Sequence, residues 1–135
     1  MDKLTRNERS QRMSLIRSRD TRPELAVRRI VHAMGYRYRL HGEDLPGSPD
    51  LVFASRRKVI FVHGCFWHRH AGCRLAQTPQ SRLDYWGSKL ASNRKRDMRN
   101  QRQLRQKGWR LFVVWECQLR NQDRLMGKIN RFLDG

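Results

Sequence analysis

The sequence lacks any apolar run near the twenty residues that a membrane-spanning helix needs, and it carries no lipidation signal. Acidic residues are also scarce, because 12 Asp and Glu stand against 30 Lys and Arg, which gives a formal net charge of +18. The two deficits argue against a membrane partner and predict binding to a long anionic molecule, most often nucleic acid. RNA binding would explain the charge equally well, so the charge predicts a class of partner and no particular activity.

The first 20 residues contain no apolar segment of the kind found in secretory signals. We therefore expect a cytoplasmic protein, associated with the nucleoid, in a compartment where disulfides are disfavoured. The chain has only three cysteines, an odd number that cannot all pair within one chain. Their simplest shared use is to bind a metal ion.

Local patterns predict a flexible amino-terminal arm followed by one α/β domain. Residues 1–20 are polar and basic, and we expect them to become ordered only on binding. Thr21 and Glu24 form a capping box, which predicts a helix that ends near Gly35. Apolar patterns predict further helices at about 81–106 and 123–133, and strands at 36–40, 51–54, 59–62 and 109–115. The last strand is apolar enough to be buried on both faces, and the predicted order over 21–135 is αβββαβα.

The segment HGCFWHRHAGC, residues 63–73, concentrates groups that bind metal ions. A Cys₃His set, typical of structural zinc, would use every cysteine and one histidine: Cys65, His70, Cys73 and Cys117. A loop with so few core side chains needs a bound metal ion of this kind to become ordered. The spacing leaves His68 open as an alternative ligand. The alternative interpretation is that no metal is bound and that the cysteines are small buried hydrophobic residues.

A single carboxylate, Asp50, stands at the start of a predicted strand and is the candidate ligand for a catalytic metal. Many nucleases place a second acid and a lysine on the next strand, but here that strand ends at His63 without either. Phosphodiester hydrolysis needs a cation to neutralise developing charge and a group that takes a proton from water. Asp50 and the backbone carbonyl of Val62 are the predicted Mg²⁺ ligands, and His68 or His63 suits the proton transfer. Glu24 is predicted to reach the metal through water, unless it serves only as a helix cap.

Four segments together resemble the very-short-patch mismatch repair endonucleases of bacteria: GSPDLVF (47–53), FVHGCFWHRHAGC (61–73), TPQSRLDYWGSKLASNRKRD (78–97) and LRQKGWRLFVVWECQLR (104–120). The resemblance extends from about Arg12 to the carboxyl terminus, and HGCFWH is its most specific string. It implies an endonuclease that nicks duplex DNA 5′ of the thymine in T·G mispairs, which arise when 5-methylcytosine deaminates. It also implies a restriction-endonuclease-like core, a central mixed sheet flanked by helices, with catalytic Mg²⁺ and a structural zinc site.

The resemblance implies roles for individual residues as well. Asp50 matches the metal-binding aspartate of the family, and His63 and His68 match its two active-site histidines. The zinc ligands that it implies are the Cys₃His set already described. The side chains that it implies as wedges into DNA beside the mismatch are Phe66, Trp67, Trp86 and, from the arm, Met13. Val62 stands where some members have threonine, and the loop between His70 and Cys73 is one residue longer than in some members.

Two other functions remain compatible with parts of the sequence. A non-catalytic, zinc-stabilised nucleic-acid-binding module would explain the charge and the Cys/His segment, but not Asp50 and the two surplus histidines. A restriction-type endonuclease on the same core would cut both strands and would be expected to dimerise. We expect a monomeric enzyme with an endonuclease domain at 21–135 that acts on double-stranded DNA, with a mismatch-repair protein as a further candidate partner.

Overall fold

The structure, a computed structural model, describes residues 20–68, 70–73 and 83–135. Nearly all of the predicted arm, including Met13, therefore lies outside the described residues. The elements follow one another as α1 (Arg22–Ala33), β1 (Arg39–Leu40), β2 (Leu51–Phe53), β3 (Lys58–His63), α2 (Leu83–Gln106), β4 (Arg110–Trp115) and α3 (Gln122–Asp134). Four strands and three helices confirm the predicted mixed α/β class. Within the described part of the chain, no helix is both long and apolar enough to cross a membrane.

The four strands form one mixed sheet in the order β1-β2-β3-β4. The pairs β1–β2 and β2–β3 are antiparallel, whereas β3 and β4 run parallel. All six residues of β3 are buried, but only Val114 is buried in β4. The prediction that segment 109–115 is buried on both faces is therefore wrong. The reason is its place in the described sheet, where β4 has a single neighbouring strand and β3 has two.

Helices cover both faces of this sheet. Alternate residues of a strand point to opposite faces, and the core divides accordingly into two clusters. One cluster joins α1 and α3 to one face of the sheet through Leu51, Ile60, Val62 and Val114. On the other face, Val59 and Phe61 belong to a cluster with Leu104 of α2. Because His63 follows Phe61 by two residues, its side chain lies on the same face as α2.

Helix α1 begins as predicted, with Thr21 as its N-cap. The hydroxyl of Thr21 accepts a hydrogen bond from the Glu24 backbone N–H at 3.4 Å. The Glu24 carboxylate does not return to the Thr21 backbone, as a full capping box requires, but accepts from the backbone N–H of Asp20 at 2.6 Å. Glu24 is 8% exposed. The first turn of α1 thus carries a buried carboxylate, which is unusual for a capping residue.

Candidate active site and metal centre

Asp50 lies just before β2 and is tied to the neighbouring strand. Its Oδ2 accepts a hydrogen bond of 2.6 Å from the backbone N–H of Val62 in β3. Burial raises the pKa of Asp50 to about 7; the Val62 hydrogen bond opposes this shift, and the charge of Glu24 adds to it. A carboxylate that is buried beside another acid has a strong electrostatic preference for a nearby cation.

Glu24 is the second acid of this pair, and Arg28 of α1 contacts it in addition to Asp20. Its Oε2 lies 3.5 Å from an Nη2 of Arg28, which also donates to Asp20 at 2.7 Å. The two neighbouring carboxylates form an oxygen-rich donor set, the kind that a hard divalent cation such as Mg²⁺ prefers. The residues present therefore fit a divalent cation of this type.

The two predicted active-site histidines stack on each other. The ring centroids of His63 and His68 are 3.8 Å apart and their planes are within 7° of parallel. Nδ1 of His68 is hydrogen-bonded to Oδ2 of Asp97 at 2.5 Å. By contrast, Nδ1 of His63 is buried and has no hydrogen-bond partner among the described residues. Burial, together with the neighbouring His68, lowers the pKa of His63 to about 3, and Asp97 opposes the shift. His63 is therefore neutral near pH 7 in the DNA-free protein.

One cleft of about 430 Å³ brings these groups together. Its lining includes every residue that sequence analysis assigned to catalysis or Mg²⁺ binding, namely Glu24, Asp50, Val62, His63 and His68. Helix α2 closes another side of the cleft and contributes Arg96, Asp97 and Asn100. The cleft thus offers buried oxygen donors, an imidazole pair and a cationic side chain in one space.

Asp97 is the acidic residue of this cleft that sequence analysis missed. It lies within the basic run NRKRD of α2, and such a run is typical of a solvated helix face. The available signal was weak, since a lone acid among arginines and lysines also makes ordinary surface ion pairs. Only the packing of α2 against the His63 face of the sheet brings Asp97 to His68.

A second cluster lies at the ends of β3 and β4. The structure brings together the four residues predicted to bind zinc, and their ligand atoms lie within 4.8 Å of one another: Cys65, His70, Cys73 and Cys117. Nδ1 of His70 is 3.6 Å from the sulfur of Cys65 and 3.5 Å from that of Cys117. A tetrahedral zinc ion bound to sulfur and nitrogen separates two such ligands by about 3.6 Å. The Cys₃His set therefore fits a metal ion, and His68, the alternative ligand, lies instead in the cleft.

Burial makes the thiol of Cys65 difficult to ionise. Cys65 is fully buried, and burial raises its pKa to about 12 in the metal-free chain. Its backbone N–H donates to Oε1 of Glu116 at 3.3 Å, which ties the start of the loop to the end of β4. A thiol with so high a pKa becomes a good metal ligand only beside a cation that stabilises the thiolate.

Two of the four predicted wedge residues are described with their side chains. Phe66 and Trp67 meet edge to face, with ring centroids 5.0 Å apart. The ammonium of Lys89 lies 5.9 Å from the Trp67 ring, and Nδ2 of Asn93 donates to the Trp67 carbonyl at 3.2 Å. Trp86 lies in α2, but its side chain, like the whole of Met13, lies outside the described residues. Phe66 and Trp67 line a cavity of about 450 Å³ that adjoins the cleft through Glu24 and His68.

Comparison with known proteins gives consistent matches. A family model described as DNA mismatch endonuclease Vsr matches residues 1–74. The chain is 53% identical over 133 residues to the type II nicking enzyme V.XorIIP of Xanthomonas oryzae pv. oryzae, covering 98% of this chain and 97% of that relative. It is 37% identical over 132 residues to the type II nicking enzyme V.NmeAIP of Neisseria meningitidis, covering 98% and 94%. It is 41% identical over 124 residues to the DNA mismatch endonuclease Vsr of Escherichia coli, covering 92% and 77%.

Proposed function

The chain belongs to the Vsr family of DNA mismatch endonucleases, and from that membership and its cleft we propose that it nicks duplex DNA 5′ of the thymine in T·G mispairs. Such mispairs arise from deamination of 5-methylcytosine. The endonuclease domain is 21–135, with a restriction-endonuclease-like core, and residues 1–20 are an arm that contacts DNA. The enzyme acts as a monomer in the cytoplasm, at the nucleoid, with a mismatch-repair protein as a candidate partner.

The observation that carries this proposal is the meeting of Asp50 with the stacked pair His63 and His68 in one cleft. Asp50 and the Val62 carbonyl are the proposed Mg²⁺ ligands, and Glu24 reaches the ion through water. Bound Mg²⁺ would neutralise negative charge that develops on the phosphate during hydrolysis. The fit of the oxygen donors to a hard cation supports this assignment.

The imidazole pair supplies the proposed proton transfers. His68 removes the proton from the attacking water, because Asp97 orients its Nδ1 and stabilises the imidazolium that results. His63, the other ring of the stack, is proposed to support the leaving oxygen by hydrogen bonding. Two protonated rings 3.8 Å apart would repel each other, so His63 stays neutral while His68 carries the proton taken from water.

Zinc is the proposed occupant of the Cys₃His cluster, where its role is structural. The cluster joins the loop that carries Phe66 and Trp67 to the end of β4 through Cys117. A loop so short of core side chains becomes ordered through its metal ligands. Bound zinc would therefore hold the proposed wedge residues beside the cleft, and it would perform no step of the reaction.

The aromatic residues supply the proposed mismatch recognition. A T·G wobble pair stacks less well than a Watson–Crick pair, so a flat side chain enters beside it at a lower cost than the few kcal/mol needed at an intact step. Phe66 and Trp67 are the wedge residues with described side chains, and Trp86 and Met13 are proposed to act with them.

Trp67→Ala is expected to weaken binding to a T·G duplex by about tenfold or more, since base–aromatic stacking contributes about 1–3 kcal/mol. Binding to the matched duplex should change by less than about threefold, because lysine and arginine contacts to phosphates carry that affinity. Equilibrium titration of both duplexes at one fixed salt concentration measures the ratio. Equal losses on the two duplexes would contradict the assignment of Trp67 as a wedge.

The proposed function is tested by measuring nicking of three duplexes that differ at one base pair, T·G, T·A or C·G. We expect nicking of the T·G duplex in Mg²⁺, little of the matched duplexes, and none when Mg²⁺ is omitted. Binding without nicking under every condition would favour the non-catalytic module. Equal cleavage of matched duplexes would favour the restriction-type endonuclease.

A further inference from the structure

Trp115, the last residue of β4, connects the metal centre to the imidazole pair. Its indole ring stacks on His70, with centroids 4.1 Å apart and planes within 7° of parallel. Its ring also meets His63 edge to face, with centroids 5.2 Å apart and an interplanar angle of 78°. In the parallel β3–β4 pair, Trp115 is the direct partner of His63. One side chain therefore contacts both a candidate metal ligand and a candidate catalytic ring.

His63 needs such a support more than His68 does. His68 is oriented by its hydrogen bond to Asp97, whereas Nδ1 of His63 has no hydrogen-bond partner within the described ranges. Among the described residues, the His63 ring packs against the rings of Phe61, His68 and Trp115. The orientation of His63 thus depends on ring packing. Of these neighbours, Phe61 belongs to β3 itself and His68 to the cleft, whereas Trp115 belongs to the adjacent strand β4.

We propose that Trp115 is a positioning residue that sets the orientation of His63 and links it, through His70, to the occupied metal centre. This inference rests on the proposed nicking function. A metal ion bound at Nδ1 would fix the plane of the His70 ring, and an indole stacked on that ring cannot tilt without losing the contact. The indole ring then holds His63 in place through their edge-to-face contact. The metal centre consequently supports the active site as well as the loop.

The test compares Trp115→Leu with Trp109→Leu, a control beside the start of β4 whose ring contacts Arg57, at 5.5 Å, and not the histidines. We expect Trp115→Leu to lower the single-turnover nicking rate on saturating T·G duplex by about ten- to a hundredfold, because small misplacements of catalytic groups have effects of that size. Bound zinc and the Kd for DNA should stay near wild type. Trp115→Phe, which retains a flat ring, should recover most of the rate, and Trp109→Leu should nick normally.

A double-substitution cycle separates positioning from a general packing defect. If Trp115 acts through His63, Trp115→Leu should cause no further loss in a His63→Ala background. A structural measurement without DNA is also available, since the imidazole ¹⁵N signals of His63 should shift in zinc-loaded Trp115→Leu but not in Trp109→Leu.

Three results would overturn the inference: a normal rate in Trp115→Leu, losses that multiply fully in the His63→Ala background, or loss of zinc from both Trp115 variants. The last result would mean that the indole serves the metal centre alone. Failure of the wild-type protein to nick a T·G duplex would refute the proposed function itself. The NMR comparison would still test the contact between Trp115 and His63 in that case.

Discussion

Asp50→Ala is expected to lower the nicking rate on a T·G duplex by at least about a thousandfold, because it removes the proposed ligand for the charge-stabilising cation. Binding of the same duplex should persist, since phosphate contacts from lysine and arginine dominate affinity and none of them involves Asp50. Single-turnover nicking in Mg²⁺ and equilibrium binding, measured on the same preparation, separate the two quantities.

Asp44→Ala is a suitable control for this substitution. Asp44 is an exposed acid in the loop before Asp50, where it pairs with Arg39 at 3.2 Å. Its removal changes the net charge of the protein by the same amount without altering the cleft, so nicking should stay near the wild-type rate. Nicking by Asp50→Ala at a rate comparable to that of Asp44→Ala would refute the assignment of Asp50 as a metal ligand.

The stability of Asp50 variants should change in the opposite direction to their activity. The folded protein raises the pKa of Asp50 from 3.8 to about 7. A carboxyl whose pKa is raised on folding stabilises the fold fully below its unfolded pKa, and this contribution is lost as the pH rises through the folded pKa. The lowered pKa of His63 has the opposite effect over much of this range, in wild type and variant alike. Without Mg²⁺, the stability of Asp50→Asn relative to wild type should therefore rise between about pH 4 and pH 7, because only the wild type loses the Asp50 contribution. Urea unfolding at pH 5 and pH 8 measures the difference.

Cys117→Ser is expected to release the bound zinc and to lower the melting temperature by about 10 °C, the shift that a loss of a few kcal/mol causes in a domain of this size. Cys117 is the ligand on the sheet side of the cluster, so the loop that carries the other three ligands would lose its attachment to the end of β4. Nicking should fall as well, because the same loop contains His68. Removal of zinc from the wild-type protein by a chelator should reproduce these effects.

Ala71→Ser provides the matched control, since Ala71 is an exposed position in the same loop and the substitution introduces the same side chain. Its zinc content and melting temperature should equal those of the wild type. Calorimetry and metal analysis of the three proteins measure the outcome. A wild-type protein that contains no zinc and melts at the same temperature as Cys117→Ser would contradict the metal centre.

The roles of some site residues can be predicted from the local sequence. The roles of others depend on how distant segments pack together and cannot be predicted in this way. The Cys/His segment and Asp50 stand out because their side-chain types and spacing point to metal binding before any fold is known. Asp97 does not stand out, because its role depends on which face of α2 meets the sheet. The pattern around Trp115 predicts only an apolar strand, and the contact of Trp115 with His70 arises where the loop after β3 returns to β4.

The fold can likewise be predicted only where local sequence determines it. The helix that begins after Thr21 and the buried strand that ends at His63 follow from capping and apolar patterns within single segments. The burial of β4 was overestimated because the pattern of WRLFVVW resembles that of a central strand. Position within a sheet is set by which strands pair, and a single strand contains little information about its neighbours.

Cleavage of a T·G duplex labelled at the ends of both strands tests the central claim most directly, because it reports strand, position and metal dependence at once. We expect one nick in Mg²⁺, immediately 5′ of the mismatched thymine, with the guanine strand intact and neither strand cut by Asp50→Ala. Cleavage of both strands, a cut away from the mismatch, or an unchanged product with Asp50→Ala would contradict it.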